Sequence, residues 1–436
     1  MNLQDLAQHL TAVALAAVDP ERLAREELSR RGERFGSVVA LGKAGAAFAR
    51  GAGSGLETGA WRLLIRPHRS PGLLDPGWEQ KTGGHPVPDR QSVAAGERLE
   101  RWLGEIPPRP LLALVSGGAS ACLELPAPEL TLEDLVTTQQ ALLASGLPIQ
   151  AVNAVRKHLS RLKGGGALRA TGGRLPRILA LLLSDVPGDD PSAIASGPFA
   201  ADLTTFADAL EALRGLEVPE SVRRYLEAGV RGEIPETLKP CDPVLERVET
   251  LLVGGAGTAV AAAVAEARRQ GFQAEEGGLE GEAVEAGRSL VERGRALAAL
   301  RGGTGFALVL GGETTVTLGR ITLGQSPGSG GRNLEVALAA ARELAGGEGE
   351  LVFTVATDGE DGPTRYAGAV VTGATWEAVR RAGIDPAAAL ARHDSRIALA
   401  AVPGALVETG PTGTNVGDLA VYLRAPSAGP PVSGMG

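Results

Sequence analysis

The sequence predicts a two-domain α/β protein, in which each domain has a mostly parallel or mixed sheet flanked by helices. Its 436 residues exceed the roughly 100 to 200 residues of one domain. Short apolar runs alternate with glycine-rich turns and helical patterns, which is typical of strands joined by helical crossovers. Prolines between Pro235 and Asp242 interrupt this alternation. We therefore predict domains at residues 1–240 and 241–424 and a flexible tail at residues 425–436.

Six apolar runs are the predicted strands of the two sheets. They are Ser37–Leu41, Leu111–Val115, Ile178–Leu183, Thr250–Val253, Ala307–Leu310 and Leu351–Val355. A polar or glycine-rich turn follows each of them. In open α/β sheets, ligands bind at the carboxyl ends of the strands. The turns are therefore the predicted functional regions.

Composition and charge exclude several kinds of partner. The formal net charge of −8 gives no general attraction to nucleic acid or to anionic lipid. The longest apolar run is about Ile178–Leu183, much shorter than the roughly 20 residues of a membrane span. Residues 1–18 form a helical pattern without the basic start of a secretory signal. We expect a cytoplasmic protein that binds neither nucleic acid nor membranes.

Two turns of the N-terminal half are suited to anion binding. Lys43 follows the first run, and its ammonium group can neutralise phosphate oxygens. The turn after the second run offers a serine hydroxyl and open backbone amides, which suit either a phosphate or a carboxylate. The binding candidates around these two turns are Gly42, Gly45, Ser116, Gly117 and Gly118.

Other N-terminal candidates are titratable residues. His85 lies in a glycine-proline turn, where a histidine either binds a ligand or bonds to the backbone. Asp185 and Asp189 follow the third run, and carboxylates placed in this way can hold Mg²⁺ or accept a proton from a substrate hydroxyl. Asp190, which precedes Pro191, fits a capping role instead.

The turn after the fourth run partly matches a dinucleotide-binding fingerprint. Gly255 and Gly257 have the right spacing, and Glu275 follows about 20 residues later. Val260 replaces the third small residue of the fingerprint. A helix N-terminus facing an anion and a plain strand-to-helix turn are the other interpretations.

The C-terminal half has one cationic turn. Arg332 and Asn333 follow the segment Gly328–Gly331 and precede a helical pattern over Leu334–Leu344. A fixed guanidinium and an amide at a helix start suit the stabilisation of negative charge.

Acidic and hydroxyl side chains occupy the other C-terminal turns. Asp358 and Asp361 either complete a metal or hydroxyl site or shape their turn, and the same two interpretations apply to Glu313. Thr412 and Asn415 lie in a final polar turn and offer donors for phosphate.

In their order, these motifs closely resemble the glycerate 2-kinase family, kinases with a MOFRL C-terminal domain that have often been called hydroxypyruvate reductases. The resemblance extends from about residue 37 to about residue 420. It rests on Leu41-Gly-Lys-Ala-Gly45, Gly83-Gly-His-Pro-Val-Pro-Asp89, Ser116-Gly-Gly118, Ser184-Asp-Val-Pro-Gly-Asp189, Ile194-Ala-Ser-Gly-Pro198, Gly311-Gly-Glu313, Gly331-Arg-Asn333, Thr357-Asp-Gly359 and Gly410-Pro-Thr-Gly-Thr-Asn415.

The resemblance implies a kinase that transfers a phosphoryl group from ATP to the 2-hydroxyl of D-glycerate with Mg²⁺. It also implies an active site in the cleft between the two domains, with Lys43 and Arg332 facing each other as catalytic residues. The sequence departs from the family at two places. Arg66-Pro-His68 stands where relatives often have Tyr-Gly-His, and Gly417 stands where a polar residue is frequent.

Phosphoryl transfer depends mainly on alignment and charge neutralisation. The hypothesis assigns Lys43 to the transferring phosphate, Arg332 to the charge of the transition state and Asp189 to the substrate proton. Asp185 and Asp358 are the predicted metal contacts. The turn Ser116–Gly118 would hold either the glycerate carboxylate or a nucleotide phosphate.

Two functions of other classes compete with the kinase. An NAD(P)-dependent hydroxypyruvate reductase would use the partial fingerprint, and a non-catalytic protein that binds phosphorylated acids would use the anion-binding turns. Neither explains a lysine turn and an arginine turn in separate domains. The residues alone leave open the position of phosphorylation, the phosphoryl donor and the oligomeric state, for which a homodimer is one option.

Overall fold

The computed structural model describes residues 2–317 and 328–426, which form two compact units. The N-terminal unit contains residues 19–254 and 413–415. The C-terminal unit contains residues 2–18, the described part of 255–412, and 416–426. Among the described residues, no helix is long and apolar enough to cross a membrane.

The boundary between the units differs from the prediction at residue 240. It lies between Gly254 and Gly255, because residues 248–254 still form a strand of the first sheet. The first helix groups with the C-terminal unit, where the His9 Nε2 atom lies 2.8 Å from Glu266 Oε1. Of the predicted tail, residues 427–436 lie outside the described residues.

Helices, singly or in runs, separate most of the described strands, as the sequence predicts. The helices are α1 (Leu3–Ala17), α2 (Pro20–Arg31), α3 (Gly45–Gly51), α4 (Arg90–Glu105), α5 (Ala119–Cys122), α6 (Leu132–Ala144), α7 (Ile149–His158), α8 (Gly166–Ala170), α9 (Phe206–Ala212), α10 (Glu220–Val230), α11 (Ala256–Arg269), α12 (Ala283–Ala299), α13 (Arg332–Leu344), α14 (Thr375–Arg381), α15 (Pro386–Ala391) and α16 (Ser395–Ala400). The strands are β1 (Phe35–Leu41), β2 (Leu56–Pro67), β3 (Glu79–Gly83), β4 (Leu111–Ser116), β5 (Ile178–Leu183), β6 (Val248–Gly254), β7 (Gln273–Leu279), β8 (Phe306–Gly312), β9 (Glu350–Ala356), β10 (Gly368–Thr372), β11 (Leu406–Val407) and β12 (Asp418–Arg424).

The sheet of the N-terminal unit has six parallel strands in the order β3-β2-β1-β4-β5-β6. Every residue of β1, β4 and β5 is buried, because helices cover both faces of such a sheet and select continuous apolar runs. The strand order reverses between β1 and β4. Ligands of open α/β sheets bind at such a reversal, outside the carboxyl ends of the strands.

The sheet of the C-terminal unit is mixed, with the order β11-β10-β9-β12-β8-β7. Strand β12 runs antiparallel to both β8 and β9 and aligns Asp418 with Gly312 and Ala356. The first residue of β12 therefore lies at the carboxyl ends of its two neighbours. The predicted fold class, two α/β domains with parallel or mixed sheets, is confirmed.

Candidate active site

The lysine turn is fastened to the neighbouring turn of the parallel sheet. Gly42 has a φ of 96°, and a β-carbon at this position would lie only 2.4 Å from the carbonyl oxygen of Ser116. Lys43 donates its backbone N–H to the carbonyl of Gly117 at 2.9 Å. Ala44 donates its N–H to Ser116 Oγ at 3.0 Å. The turns after β1 and β4 are thus joined by hydrogen bonds at the point where the strand order reverses.

Ser116 is fully buried, and its hydroxyl is used within the protein. The Oγ atom accepts the hydrogen bond from Ala44 and donates to the carbonyl of Leu41 at 3.0 Å. A hydroxyl has a single proton to donate. We therefore assign the hydroxyl of Ser116 to positioning the lysine turn, instead of the ligand contact that the sequence predicts.

The side chains of two predicted site residues pack against the Gly117–Gly118 turn. A β-carbon at Gly118 would lie 2.8 Å from Lys43 Cγ, so the lysine side chain lies directly on this glycine. A β-carbon at Gly117 would lie 1.6 Å from Asp185 Oδ2. Lys43 and Asp185 therefore contact the same turn, and neither glycine position tolerates a side chain.

A fourth loop reaches this cluster. The buried Asn415 belongs to the short segment 413–415 that groups with the N-terminal unit, and its Nδ2 donates to Asp185 Oδ2 at 2.9 Å. We call Lys43, Gly117, Gly118, Asp185 and Asn415 the lysine site. The structure thus brings together five predicted residues that are distant in sequence.

The two other aspartates of the Asp185 turn differ in their surroundings. Asp189 is partly exposed and adopts a φ of 55°, a left-handed conformation that non-glycine residues rarely adopt. Asp190 accepts hydrogen bonds from the backbone N–H and the hydroxyl of Ser192, at 2.9 and 2.8 Å. Asp190 therefore stabilises the turn.

An imidazole and a carboxylate pair near the predicted His85. His85 itself is exposed on the turn after β3. The Nε2 atom of His68 lies 2.6 Å from Asp89 Oδ2. Burial acts to raise the pKa of Asp89, but hydrogen bonds from His68, Ser92 and Gly84 outweigh it and lower the pKa to about 2. His68, which lies in one of the two departures from the family pattern, therefore pairs with a carboxylate.

In the C-terminal unit, Arg332 is held by two carboxylates. Its Nε donates to Asp418 Oδ2 at 2.5 Å and its Nη2 to Asp418 Oδ1 at 3.3 Å, whereas Nη1 bonds to Glu313. Burial acts to lower the pKa of Arg332, but the charges of Asp418 and Glu313 outweigh it and raise the pKa. We call these three residues the arginine site. Its guanidinium is charged and fixed in direction.

The partners of Arg332 differ in exposure. The side chain of Asp418 is 1% exposed, and that of Glu313 is 42% exposed. Burial raises the pKa of Asp418, and the charge of Arg332 opposes this shift. Asp418 is absent from the predicted site, although an aspartate at the start of the apolar run Leu419–Leu423 is a signal that the sequence does contain.

Asp361 holds the start of α13. It accepts hydrogen bonds from the backbone N–H groups of Asn333 and Leu334, at 3.0 and 2.9 Å, whereas Gly331 at the helix start has no capping side chain. Burial raises the pKa of Asp361 to about 7, although these backbone hydrogen bonds act to lower it. Asn333 is itself only 1% exposed, so its predicted contact with a ligand is not supported.

The remaining C-terminal candidates mainly shape turns. Asp358 Oδ1 accepts the backbone N–H of Glu360 at 3.1 Å. The hydroxyl of Thr412 donates to the carbonyl of Thr357 at 2.5 Å. Within residues 2–317 and 328–426, no group of three or more acidic, histidine or cysteine side chains could hold a metal ion by itself. The predicted metal contacts Asp185 and Asp358 belong to different units.

The partial dinucleotide fingerprint lacks the fold that it requires. The fingerprint belongs to a βαβ unit whose two strands lie in one sheet. Here β6 belongs to the N-terminal sheet and β7 to the C-terminal sheet, with α11 between them. The carboxylate of Glu275 bonds to Arg301. Gly255 and Gly257 therefore do not form the predicted nicotinamide site.

Two family models match the chain. A model described as a domain of unknown function (DUF4147) matches residues 6–227, and the MOFRL family model matches residues 306–418. The glycerate 2-kinase of Pyrococcus horikoshii is 36% identical, over 97% of this chain and 98% of that protein. The crystal structure of a glycerate kinase from Thermotoga maritima has a TM-score of 0.80 at 36% identity and covers 97% of this chain and 99% of its own.

The chain belongs to the glycerate kinase family. A putative hydroxypyruvate reductase of Agrobacterium vitis is also similar, with 39% identity over 97% of this chain and 95% of that protein. In this member of the glycerate kinase family, the cations of the lysine site and the arginine site lie in the ranges matched by two different family models. Lys43 and Asp185 lie in the first matched range, and Arg332 and Asp418 in the second.

Proposed function

We propose that the protein is a glycerate 2-kinase, which transfers the γ-phosphoryl group of ATP to the 2-hydroxyl of D-glycerate. The relatives named above support the reaction. The observation that carries it is the lysine site, where Lys43 packs on a glycine turn at the strand-order reversal, beside the carboxylate of Asp185. A cation, a glycine turn that a phosphate can approach closely and a carboxylate are groups that suit phosphoryl transfer.

Lys43 neutralises the oxygens of the transferring phosphoryl group. Its backbone is fixed by the hydrogen bond to the carbonyl of Gly117, and the lower part of its side chain is fixed by packing on Gly118, so the residue is largely positioned before phosphate binds. Pre-ordering of this kind lowers the entropic cost of reaching the transition state.

Arg332 stabilises the negative charge that develops on the phosphoryl oxygens. Asp418 holds the Nε and Nη2 side of the guanidinium, whereas Nη1 pairs with the more exposed Glu313. Exchange of Glu313 for a phosphate oxygen costs little, because an exposed ion pair contributes only about 0 to 1 kcal/mol. The buried Asp418 keeps the guanidinium in place during this exchange.

Asp189 accepts the proton that leaves the 2-hydroxyl while the new O–P bond forms and the bond to ADP breaks. Asp185 fits Mg²⁺, because this cation is commonly bound by one or two carboxylates together with substrate phosphates and water. The metal would offset the charge of the nucleotide phosphates. The amide of Asn415 orients the carboxylate of Asp185, and Asp358 remains a predicted second contact.

The test is an assay of ADP release with ATP, Mg²⁺ and either D- or L-glycerate. We expect release with D-glycerate at a rate that depends on the concentration of D-glycerate. A parallel assay with hydroxypyruvate and NAD(P)H, without ATP, should show no oxidation of the nicotinamide. Oxidation in that assay, without ADP release in the first, would support the reductase instead.

A further inference from the structure

A chain of three polar side chains begins at Ser120, two residues after the Gly118 position on which Lys43 packs. Ser120 Oγ lies 2.9 Å from Ser196 Oγ, and Ser196 Oγ donates to Asn153 Oδ1 at 3.2 Å. Ser196 and Asn153 are buried, whereas Ser120 is partly exposed. The exposed end of the chain is therefore next to the lysine site.

The backbone around Ser196 is strained. Ala195 and Ser196 have φ values of 54° and 58°, in the left-handed region that residues other than glycine rarely adopt. The backbone N–H groups of Gly164 and Gly165 hold this conformation by donating to the carbonyls of Ser196 and Gly197, at 3.0 and 2.8 Å. Strain that the surrounding structure maintains in this way is concentrated at functional sites.

Side chains of helix α7 hold the same segment by hydrogen bonds. Asn153 and Lys157 are one helical turn apart on α7. The buried Lys157 donates to Ser192 Oγ at 3.3 Å and to Asp202 Oδ1 at 3.1 Å. Contacts on both sides of Ser196 therefore fix its hydroxyl oxygen beside Ser120.

The direction of the hydrogen bonds limits what Ser120 can bind. Ser196 has one hydroxyl proton and gives it to Asn153. In the bond between the two serines, Ser120 must then be the donor. Its remaining capacity is to accept a hydrogen bond, so its ligand must be a donor. Carboxylate and fully ionised phosphate oxygens only accept, whereas a hydroxyl group donates.

We propose that Ser120 accepts a hydrogen bond from the hydroxyl group of D-glycerate that is not phosphorylated. Ser196 and Asn153 are positioning residues for Ser120. This inference rests on the proposed kinase function and adds to it the basis for selecting the acceptor. Such a site favours acids with a second hydroxyl over D-lactate, which has the same carboxylate and 2-hydroxyl but lacks the 3-hydroxyl.

The first test is Ser120→Ala with two acceptors. Loss of one neutral hydrogen bond should raise the KM of D-glycerate about tenfold and leave the KM of ATP unchanged. D-lactate, assayed both as a substrate and as a competitor of D-glycerate, should bind the variant as it binds the wild type, within about a factor of two. Ser221→Ala, on α10, is the matched control and should change neither the KM of D-glycerate nor the binding of D-lactate.

The second test separates positioning from structure. Ser196→Gly removes the hydroxyl and relieves the left-handed strain. We expect a higher KM for D-glycerate without a lower midpoint of thermal unfolding. Ala195→Gly relieves the adjacent strain and keeps the hydroxyl, so the KM of D-glycerate should stay at the wild-type value.

The proposal would be overturned if Ser120→Ala weakened the binding of D-glycerate and the binding of D-lactate equally. The serine would then contact a group that both acids share. An unchanged KM of D-glycerate in Ser120→Ala would also overturn it. Wild-type protein that forms no phosphoglycerate at all would instead remove the kinase function on which the proposal rests. The two failures are therefore distinguishable.

Discussion

The lysine site and the arginine site fix a cation in opposite ways. Lys43 is held by backbone hydrogen bonds and by close packing on glycines. Arg332 is held by ion pairs, of which the one to Asp418 involves a buried carboxylate. Steric fit fixes the lysine turn and the lower part of the lysine side chain, whereas paired carboxylates keep the guanidinium in one orientation. The difference predicts that removal of the Lys43 side chain reduces activity alone, whereas removal of the Arg332 side chain reduces both activity and stability.

The largest effect is expected for Arg332→Ala. Activity should fall by about 10³-fold or more, the range for an arginine that stabilises a transferring phosphoryl group. Stability should fall as well, because a buried carboxylate loses its partner. Steady-state kinetics and thermal unfolding measure the two effects.

The double variant Arg332→Ala/Asp418→Asn is the control for this prediction. It removes the unpaired charge, so it should recover most of the lost unfolding midpoint without recovering activity. Equal loss of stability in the single and double variants would contradict the role of Asp418 as the buried anchor.

Lys43→Met should have the next largest effect. Activity should fall by about 10² to 10³-fold, as when one stabilising group is removed from a transition state. Because the turn is held by its backbone, the midpoint of thermal unfolding should stay within about 2 °C of the wild-type value. A large loss of stability would show that the lysine has a structural role that the packing does not reveal.

Gly117→Ala should have an intermediate effect. The added methyl group would overlap the carboxylate of Asp185, so the turn and the aspartate must move apart. A displacement of about 1 Å at a reaction site can reduce activity about 100-fold. Gly257→Ala is the matched control, because open space surrounds this position in the first turn of α11. It should retain full activity, and a loss would reinstate the dinucleotide fingerprint.

The smallest effect is expected in the pH dependence of stability at Asp361. Burial raises its pKa from 3.8 to about 7 in the folded protein, so the folded state binds more protons than the unfolded state between these values. The contribution of Asp361 to stability therefore falls as pH rises from about 4 to about 7. The unfolding midpoint of the wild type, relative to Asp361→Asn, should fall by a few degrees between pH 5 and pH 8. A constant difference would show that the carboxyl is not protonated at neutral pH.

The sequence predicts six apolar strands and misses, among others, two polar strands at the sheet edges. The six predicted runs correspond to β1, β4, β5, β6, β8 and β9. Strands β3 and β7 are edge strands of their sheets and contain charged residues, so no apolar run marks them. Antiparallel β12 is apolar, but it is not followed by the turn and helix that identified the others.

The sequence also predicts the lysine site better than the arginine site. Lys43, Gly117, Gly118 and Asp185 were predictable because the carboxyl ends of parallel strands meet at one edge. Asp418 was not assigned to the site, and Asp361 was left between a metal or hydroxyl site and a turn-shaping role, because they act through partners 86 and 28 residues away in the chain. A buried ion pair between distant residues leaves no periodic pattern in the sequence.

Phosphorus NMR of the product tests the central claim most directly. The protein is incubated with ATP, Mg²⁺ and D-glycerate, and the phosphorylated acid is identified by its spectrum. The proposed function predicts 2-phosphoglycerate together with ADP. A spectrum that shows 3-phosphoglycerate, or unchanged ATP with active relatives as positive controls, would contradict it.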